Sequence, residues 1–247
     1  MVNGTNIKII GLGGIGSWLV QFISKYARFT MLKNKKITIT CIDGDKYDSL
    51  NRPRQNFTNL GSKARIKMLE LKSEYDKYVP PGYDLENFAF ECYEEYISDD
   101  NIVSQIIEGD SVFMGVDNHK TRSLVSKHCK KLDDIILISG GNDVVVGNIQ
   151  IYQKKAGEEI TADLCAYHPE IENPQDKAPY EMSCEELQES APQLLFTNIM
   201  VATLMCCAYY NLLTEKININ NQIGEAYFDI TTLKCDPKLR IPKKKEI

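Results

Sequence analysis

Residues 11–17 read GLGGIGS, between a short apolar run at residues 6–10 and a segment with apolar side chains at Trp18, Leu19, Phe22, Ile23 and Tyr26. A short apolar run followed by a 3.6-residue period reads as strand, turn and helix. Glycines at 11, 13 and 16 let the chain reverse tightly and bring the helix close to the strand. The alternating β-branched stretch ITITCID at residues 37–43 supplies a second strand and completes a βαβ unit. Parallel strands need such a crossover.

The alternation continues. A charged amphipathic helix is expected at residues 62–78, with Ile66, Leu69 and Tyr75 inward and a stop at Pro80, Pro81 and Gly82. A third strand at 87–93, a helix near 102–107, an apolar strand at 111–115, a helix at 120–132 and a strand at 135–139 follow. The fold class is therefore α/β, a Rossmann-like, doubly wound, mostly parallel sheet. Residues 144–152 extend without an intervening helix and 225–231 form a last strand, so antiparallel strands are expected on the C-terminal side. Residues 1–247 read as a single domain, with a mobile crossover segment at about 161–192, the longest helix at 194–213 and a solvated basic tail at 238–247.

Composition narrows the function. A net charge of -5 argues against specific nucleic-acid binding, which needs clustered Lys and Arg. The most apolar window, 194–213, carries Thr197, Asn198, Thr203 and Asn211, so it reads as a buried helix and no membrane association is expected. Residues 1–5 lack a basic leader, and the eight cysteines have no paired spacing, which together point to a cytoplasmic location with most thiols in the core.

Gly11, Gly13 and Gly16 fit a phosphate-binding turn, where backbone N–H groups at a helix start face an anion. Asp43, at the end of the second strand, is placed to accept from ribose hydroxyls. Up to this point a nicotinamide-dependent oxidoreductase explains the residues equally well. Asn51, Arg54 and Gln55 do not belong to a dinucleotide site, whereas a triphosphate needs a cation and donors around its pyrophosphate. Arg54 suits bridging phosphate oxygens and Arg52 lies beside it. Lys63 is either a second cation or a solvated first-turn lysine. Asp117 follows the strand at 111–115, where a carboxylate can hold Mg2+; the alternative is that Asp117 or Asn118 caps the next helix.

With Asp45, Arg122 and the VDN at residues 116–118 added, the chain resembles the ThiF/MoeB/ubiquitin-activating enzyme superfamily, whose signature reads G-x-G-G-x-G-S, D-x-D, S-N-L-x-R-Q, a lysine, and D-N with an arginine four residues on. Within it, SCEEL at 183–187 and QLLFTN at 193–198 are similar to the ThiF-like branch of PRTRC loci. The resemblance implies ATP-dependent adenylation of the C-terminal carboxylate of a small ubiquitin-like or sulfur-carrier protein by a homodimer. It places Gly14 against the phosphates, Asp43 at the ribose, Asn51, Arg54 and Lys63 at the triphosphate, and Mg2+ on Asp117. It also makes Cys184 the acceptor for a following thioester or acyl-persulfide step.

The chain departs from the family in three places. Leu50 stands where the signature has a serine before Asn51. Many members carry an N-terminal helix whose arginine reaches the partner's ATP; here the first strand begins almost at once, and Arg52 is the substitute on offer. The paired C-x-x-C zinc motifs of MoeB-like members are reduced to Cys165, His168 and Cys235, so zinc is not expected. Beside adenylation stand two other readings, the oxidoreductase and a catalytically idle adaptor that keeps the fold to dock a partner.

Overall fold

The structure is a computed structural model that describes residues 4–28, 36–77, 87–181 and 193–242. Strand β1 (Gly4–Ile10) runs into the glycine turn and helix α1 (Gly16–Tyr26), and β2 (Lys36–Ile42) lies parallel to β1. A two-stranded ribbon, β3 (Lys46–Tyr47) with β4 (Gly61–Ser62), brackets the loop carrying Asn51, Arg54 and Gln55 and leads into α2 (Lys63–Lys77). Next come β5 (Phe88–Tyr93), a one-turn α3 (Ile102–Gln105), β6 (Ser111–Met114), α4 (His119–Cys129) and β7 (Ile135–Asn142). The C-terminal part adds β8 (Val146–Lys155), β9 (Glu158–Glu159), α5 (Pro169–Glu172), α6 (Leu195–Leu213), β10 (Ile223–Asp229) and β11 (Lys234–Leu239).

The main sheet runs β11-β10-β8-β7-β6-β1-β2-β5, with β9 paired to β8. Strands β5, β2, β1, β6 and β7 are parallel and β8, β10 and β11 antiparallel, which is the expected α/β arrangement. Helices cover both faces, and the parallel strands are accordingly apolar on both. Ile7, Ile9, Ile37, Ile39, Phe113 and Ile138 face the core under α1, α2 and α6. Ile10, Ile42, Val112, Met114 and Leu137 face the other side, with α3 and α4. The chain winds outward from β1 through β2 to β5, then returns to the opposite side of β1 for β6. A crevice opens between the carboxyl ends of β1 and β6 at such a reversal.

Four local expectations are corrected. The inward face of α2 is Ala64, Lys67, Leu71 and Tyr75, while Leu69 is 49% exposed. Lys67 takes the buried place because Glu70 binds its ammonium at 2.8 Å. The helix expected near 102–107 ends at Gln105, with Ile106 already extended. The basic tail does not begin free in solvent: β11 includes Lys238, and Arg240 donates to Glu225 and lies over the Tyr167 ring at 4.7 Å. Of the thiols, Cys41 and Cys129 are buried but Cys207 and Cys235 are exposed.

Helix α6 is long and apolar enough, by length and composition alone, to cross a membrane. Here it packs against α1, β7 and β8, with Thr197, Asn198, Val201, Ala202, Met205, Ala208, Tyr209 and Leu212 buried. Within the expected crossover, residues 161–181 form short turns and α5, tied to α4 where Asp176 accepts from the His119 and Lys120 N–H groups at 2.6 and 3.1 Å. Residues 182–192, including Cys184, lie outside the described residues, as do 243–247.

Candidate functional site

The glycines meet at the crevice. Gly11 has φ +82°, a left-handed conformation that strains other residues, and a Cβ there would stand 2.9 Å from the Gly115 carbonyl oxygen at the end of β6. Gly16 opens α1 so close to Gly11 that a Cβ would fall 1.8 Å from the Gly11 oxygen. Strand end and helix start are thus drawn together, and the start of α1 points into the crevice. A Cβ on Gly14 would lie 2.7 Å from both carboxamide atoms of Asn198, whereas at Gly13 the nearest neighbour is Gln55 Nε2 at 3.8 Å.

Asp43 fixes this turn from the side. Its Oδ2 accepts from Leu12 N–H at 2.6 Å and its Oδ1 from Asp45 N–H at 2.8 Å. Burial pushes the Asp43 carboxyl up from the usual carboxylate range, and Lys63 opposes it. Lys63 is nearly buried at the start of α2, its backbone N–H donating to the Asp45 carbonyl at 2.9 Å and its ammonium to Asp45 Oδ2 at 2.9 Å. Burial disfavours the Lys63 charge, but Asp43 and Asp45 outweigh it and hold its pKa above that of an ordinary lysine. Lys63 is therefore a nearly buried ammonium held between Asp43 and Asp45, and not the solvated first-turn lysine that its sequence position also allowed.

The loop between β3 and β4 folds back onto α1. Trp18 Nε1 donates to the Arg54 carbonyl at 3.2 Å, and Ser17 Oγ accepts from Asn56 N–H at 3.0 Å. Tyr47 OH reaches the Leu12 carbonyl at 2.9 Å. Within the loop the Arg54 guanidinium donates to Asn51 Oδ1 at 2.6 and 3.2 Å. Gln55 is buried and its Oε1 has no hydrogen-bond partner among the described residues. Arg52 is exposed and lies over the Phe57 ring at 5.2 Å.

At the end of β6 the two neighbouring candidates separate. Asn118 caps α4, its Oδ1 accepting from Thr121 N–H at 2.8 Å, while the Asp117 side chain is exposed. Asp117 is near enough to act electrostatically on Lys63, Tyr96 and Arg122. Arg122 is buried, donating to Ser139 Oγ, the Val116 carbonyl and the Gly140 carbonyl at 3.1, 2.8 and 2.8 Å. Burial brings its pKa down to about 10. It braces the ends of β6 and β7.

Three participants are not among the site residues expected from the sequence. Tyr96, just past β5, donates its hydroxyl to Asp45 and lays its ring against Gly44. It borders a cavity of about 690 Å³ lined by Gly44, Glu94, Glu95, Asp99, Asp100 and Tyr180 among others. Its place beyond the carboxyl end of a parallel strand was the available hint. Asp176 and Asn198 reach the site only through the tertiary fold. Of the zinc candidates, His168 has both ring nitrogens on carboxylates, Glu170 and Glu225, and Cys235 is exposed on β11. Among the described residues no cluster of three metal-ligating side chains is present.

Comparison with known proteins finds the same fold elsewhere. The Haemophilus influenzae tRNA threonylcarbamoyladenosine dehydratase is 27% identical over 137 residues, which is 55% of this chain and 47% of the relative. The chain thus spans about half the length of the curated relative it matches. Escherichia coli MccB solved with ATP superposes with a TM-score of 0.69 at 14% identity, covering 99% of this chain and 66% of that one. MccB with AMPCPP and MccA gives 0.68 at 13% identity over 99% and 66%, and PaaA gives 0.65 at 14% over 97% and 65%. The ThiF family model matches residues 2–246, and the chain belongs to the ThiF family.

Proposed function

We propose that the chain is an ATP-dependent adenylyltransferase that activates a carboxylate, the C-terminal carboxylate of a small ubiquitin-like or sulfur-carrier protein. The observation that carries the reading is the Asp45–Lys63 pair at 2.9 Å, which sets a buried ammonium beside the Asp43-fixed glycine turn. A nicotinamide site shares the turn and Asp43 but has no use for that ammonium or for the Asn51–Arg54 pair. MccB, a relative in fold, has been solved with ATP, which supports the same nucleotide here. The tRNA nucleoside in the name of the H. influenzae relative is a poorer substrate for a chain of net charge -5.

In this reading a carboxylate oxygen of the substrate attacks the α-phosphorus, the bond to the bridging oxygen breaks, and pyrophosphate leaves as the acyl-adenylate forms. The nucleophile is already an anion, so no protein base is needed. The turn N–H groups at Gly13, Gly14 and Gly16 hold phosphate, Lys63 and Arg54 offset charge building on pyrophosphate, and Asp43 accepts from the ribose. Mg2+ is bound through one or two carboxylates plus substrate phosphates, so a single exposed Asp117 fits it; when bound, the ion neutralises phosphate charge. Asn118 supports this as the cap that fixes the Asp117 backbone. Cys184 is the proposed acceptor for a second step, and two copies are the proposed assembly.

Calorimetry with ATP and with NAD separates the readings, ATP alone giving heat if adenylation is correct. ATP–pyrophosphate exchange driven by candidate carriers then tests the chemistry: exchange is expected from the wild type and lost in Asp117→Ala. Equal exchange by Asp117→Ala removes its role, and no nucleotide binding leaves the adaptor.

A further inference from the structure

Asn198 closes the QLLFTN stretch at residues 193–198, and the glycine, acidic and cation motifs give it no role. It lies in the first turn of α6, a helix otherwise almost entirely apolar on its buried face, and it is 0% exposed. Among the described residues neither its Oδ1 nor its Nδ2 has a hydrogen-bond partner. A buried carboxamide left in that state is an unfavourable choice for a core helix unless the group is used. Its position is fixed: Asn198 N–H donates to the Leu194 carbonyl at 3.2 Å, and the adjacent Thr197 hydroxyl donates to the Val144 carbonyl at 2.7 Å. The carboxamide lies flat against Gly14, both of its polar atoms 2.7 Å from where a Cβ would stand, beside Gln193 Oε1 at 2.5 Å. That contact explains why residue 14 is glycine although its φ lies outside the left-handed region.

We propose that Asn198 is the positioning residue of the phosphate turn, its carboxamide exchanging hydrogen bonds with the backbone of residues 13–15 when a nucleotide triphosphate orders that turn. Asn198 acts through the turn and does not touch the nucleotide. It offers one acceptor and two donors, enough to take an N–H and supply a carbonyl of the same peptide segment. Gln55, whose Oε1 also lacks a partner among the described residues, flanks the turn on the Gly13 side. The inference rests on the reading that a nucleotide binds at this turn, and the experiment keeps the two apart.

The test is calorimetric titration of the full chain with ATP and with adenosine, for wild type, Asn198→Leu and Asn198→Ser, beside thermal melts without nucleotide. Leucine is close to asparagine in shape and removes two unpartnered buried polar atoms, so Asn198→Leu melts at or above wild type. Its Kd for ATP rises about tenfold, the equivalent of one net hydrogen bond. Its Kd for adenosine, which lacks phosphates, stays within about twofold of wild type, the change that falls well below one hydrogen bond. Asn198→Ser, which keeps a donor and an acceptor, lies between the two for ATP and supplies the comparison where the leucine variant does not fold. Unchanged ATP affinity in both variants, or equal weakening for ATP and adenosine, overturns the positioning role. A wild type that binds no ATP overturns the nucleotide reading and this inference with it.

Discussion

Asp43 joins the glycine turn to the loop that carries the cations, and its replacement tests whether that joint is structural. In Asp43→Ala two backbone donors lose their acceptor, Leu12 N–H at 2.6 Å and Asp45 N–H at 2.8 Å. A buried donor left unsatisfied costs about 1–3 kcal/mol. Leu12 is fully buried and bears that cost, whereas Asp45 is part-exposed and its N–H recovers a bond to water. A partial offset comes from removing a carboxylate whose burial already disfavours its charge. The net loss is therefore about 2 kcal/mol. Asp43→Asn keeps one acceptor oxygen but turns an NH2 toward the second N–H, so it recovers about half of that loss. Urea unfolding followed by Trp18, the one tryptophan, measures both, and the probe is local because its Nε1 donates to the Arg54 carbonyl at 3.2 Å. Midpoints for Asp43→Ala within about 0.5 kcal/mol of wild type would refute the reasoning.

Three further outcomes follow from geometry. Gly14→Ala drives a methyl into Asn198 and Gln193, at 2.7 and 2.5 Å, and should cost about 1–3 kcal/mol as overpacking; Gly13→Ala, with nothing nearer than 3.8 Å, should melt close to wild type. Asn118→Ala removes the α4 cap and should lose about 1 kcal/mol, with Asn118→Asp retaining it, both read from urea midpoints. The hydrogen bond that His168 donates to Glu225 raises the pKa of His168 against the opposing effect of burial. Its contribution to stability is thus full below about pH 6.5, the unfolded value, and is lost as pH rises through the higher folded value. The gap in urea midpoint between wild type and His168→Gln should narrow toward alkaline pH, and a gap independent of pH would contradict the assignment.

The parallel sheet was legible because its strands are buried on both faces and read as apolar runs, and because the glycine turn marks where the first strand ends. Where burial depends on a partner, the sequence misleads. Lys67 looks like a solvent residue and Leu69 like core, yet Glu70 neutralises the former and the helix period set by Ala64, Leu71 and Tyr75 turns the latter outward. Strand β11 has no apolar face to detect: all six residues of KCDPKL are exposed, Pro237 interrupts them, and the strand is held by backbone pairing to β10 at the sheet edge. The choice between Asp117 and Asn118 as helix cap was likewise open, since either side chain can accept from the first turn and only the backbone conformation at Asn118 decides it. Tyr96 and Asn198 come from elements 50 or more residues from the turn, and no spacing in the sequence ties either of them to it.

The charges of the crevice also bear on how a nucleotide could lie in it. Glu94, Glu95, Asp99 and Asp100 line the cavity beyond Gly44, so that end repels phosphate. At the other end stand the helix start, with its favourable dipole, and Lys63. A triphosphate therefore gains most with its phosphates at the glycine turn and its nucleoside toward the acid-lined cavity, and Asp43 lies between the two, where a ribose would pass. Lys63 is bound to Asp45 in this arrangement, but Asp45 also accepts from Tyr96, so Asp45 keeps a donor when the ammonium turns toward phosphate. The tyrosine lowers the cost of that exchange, because a carboxylate that loses one partner and keeps another is far better off than one stranded alone.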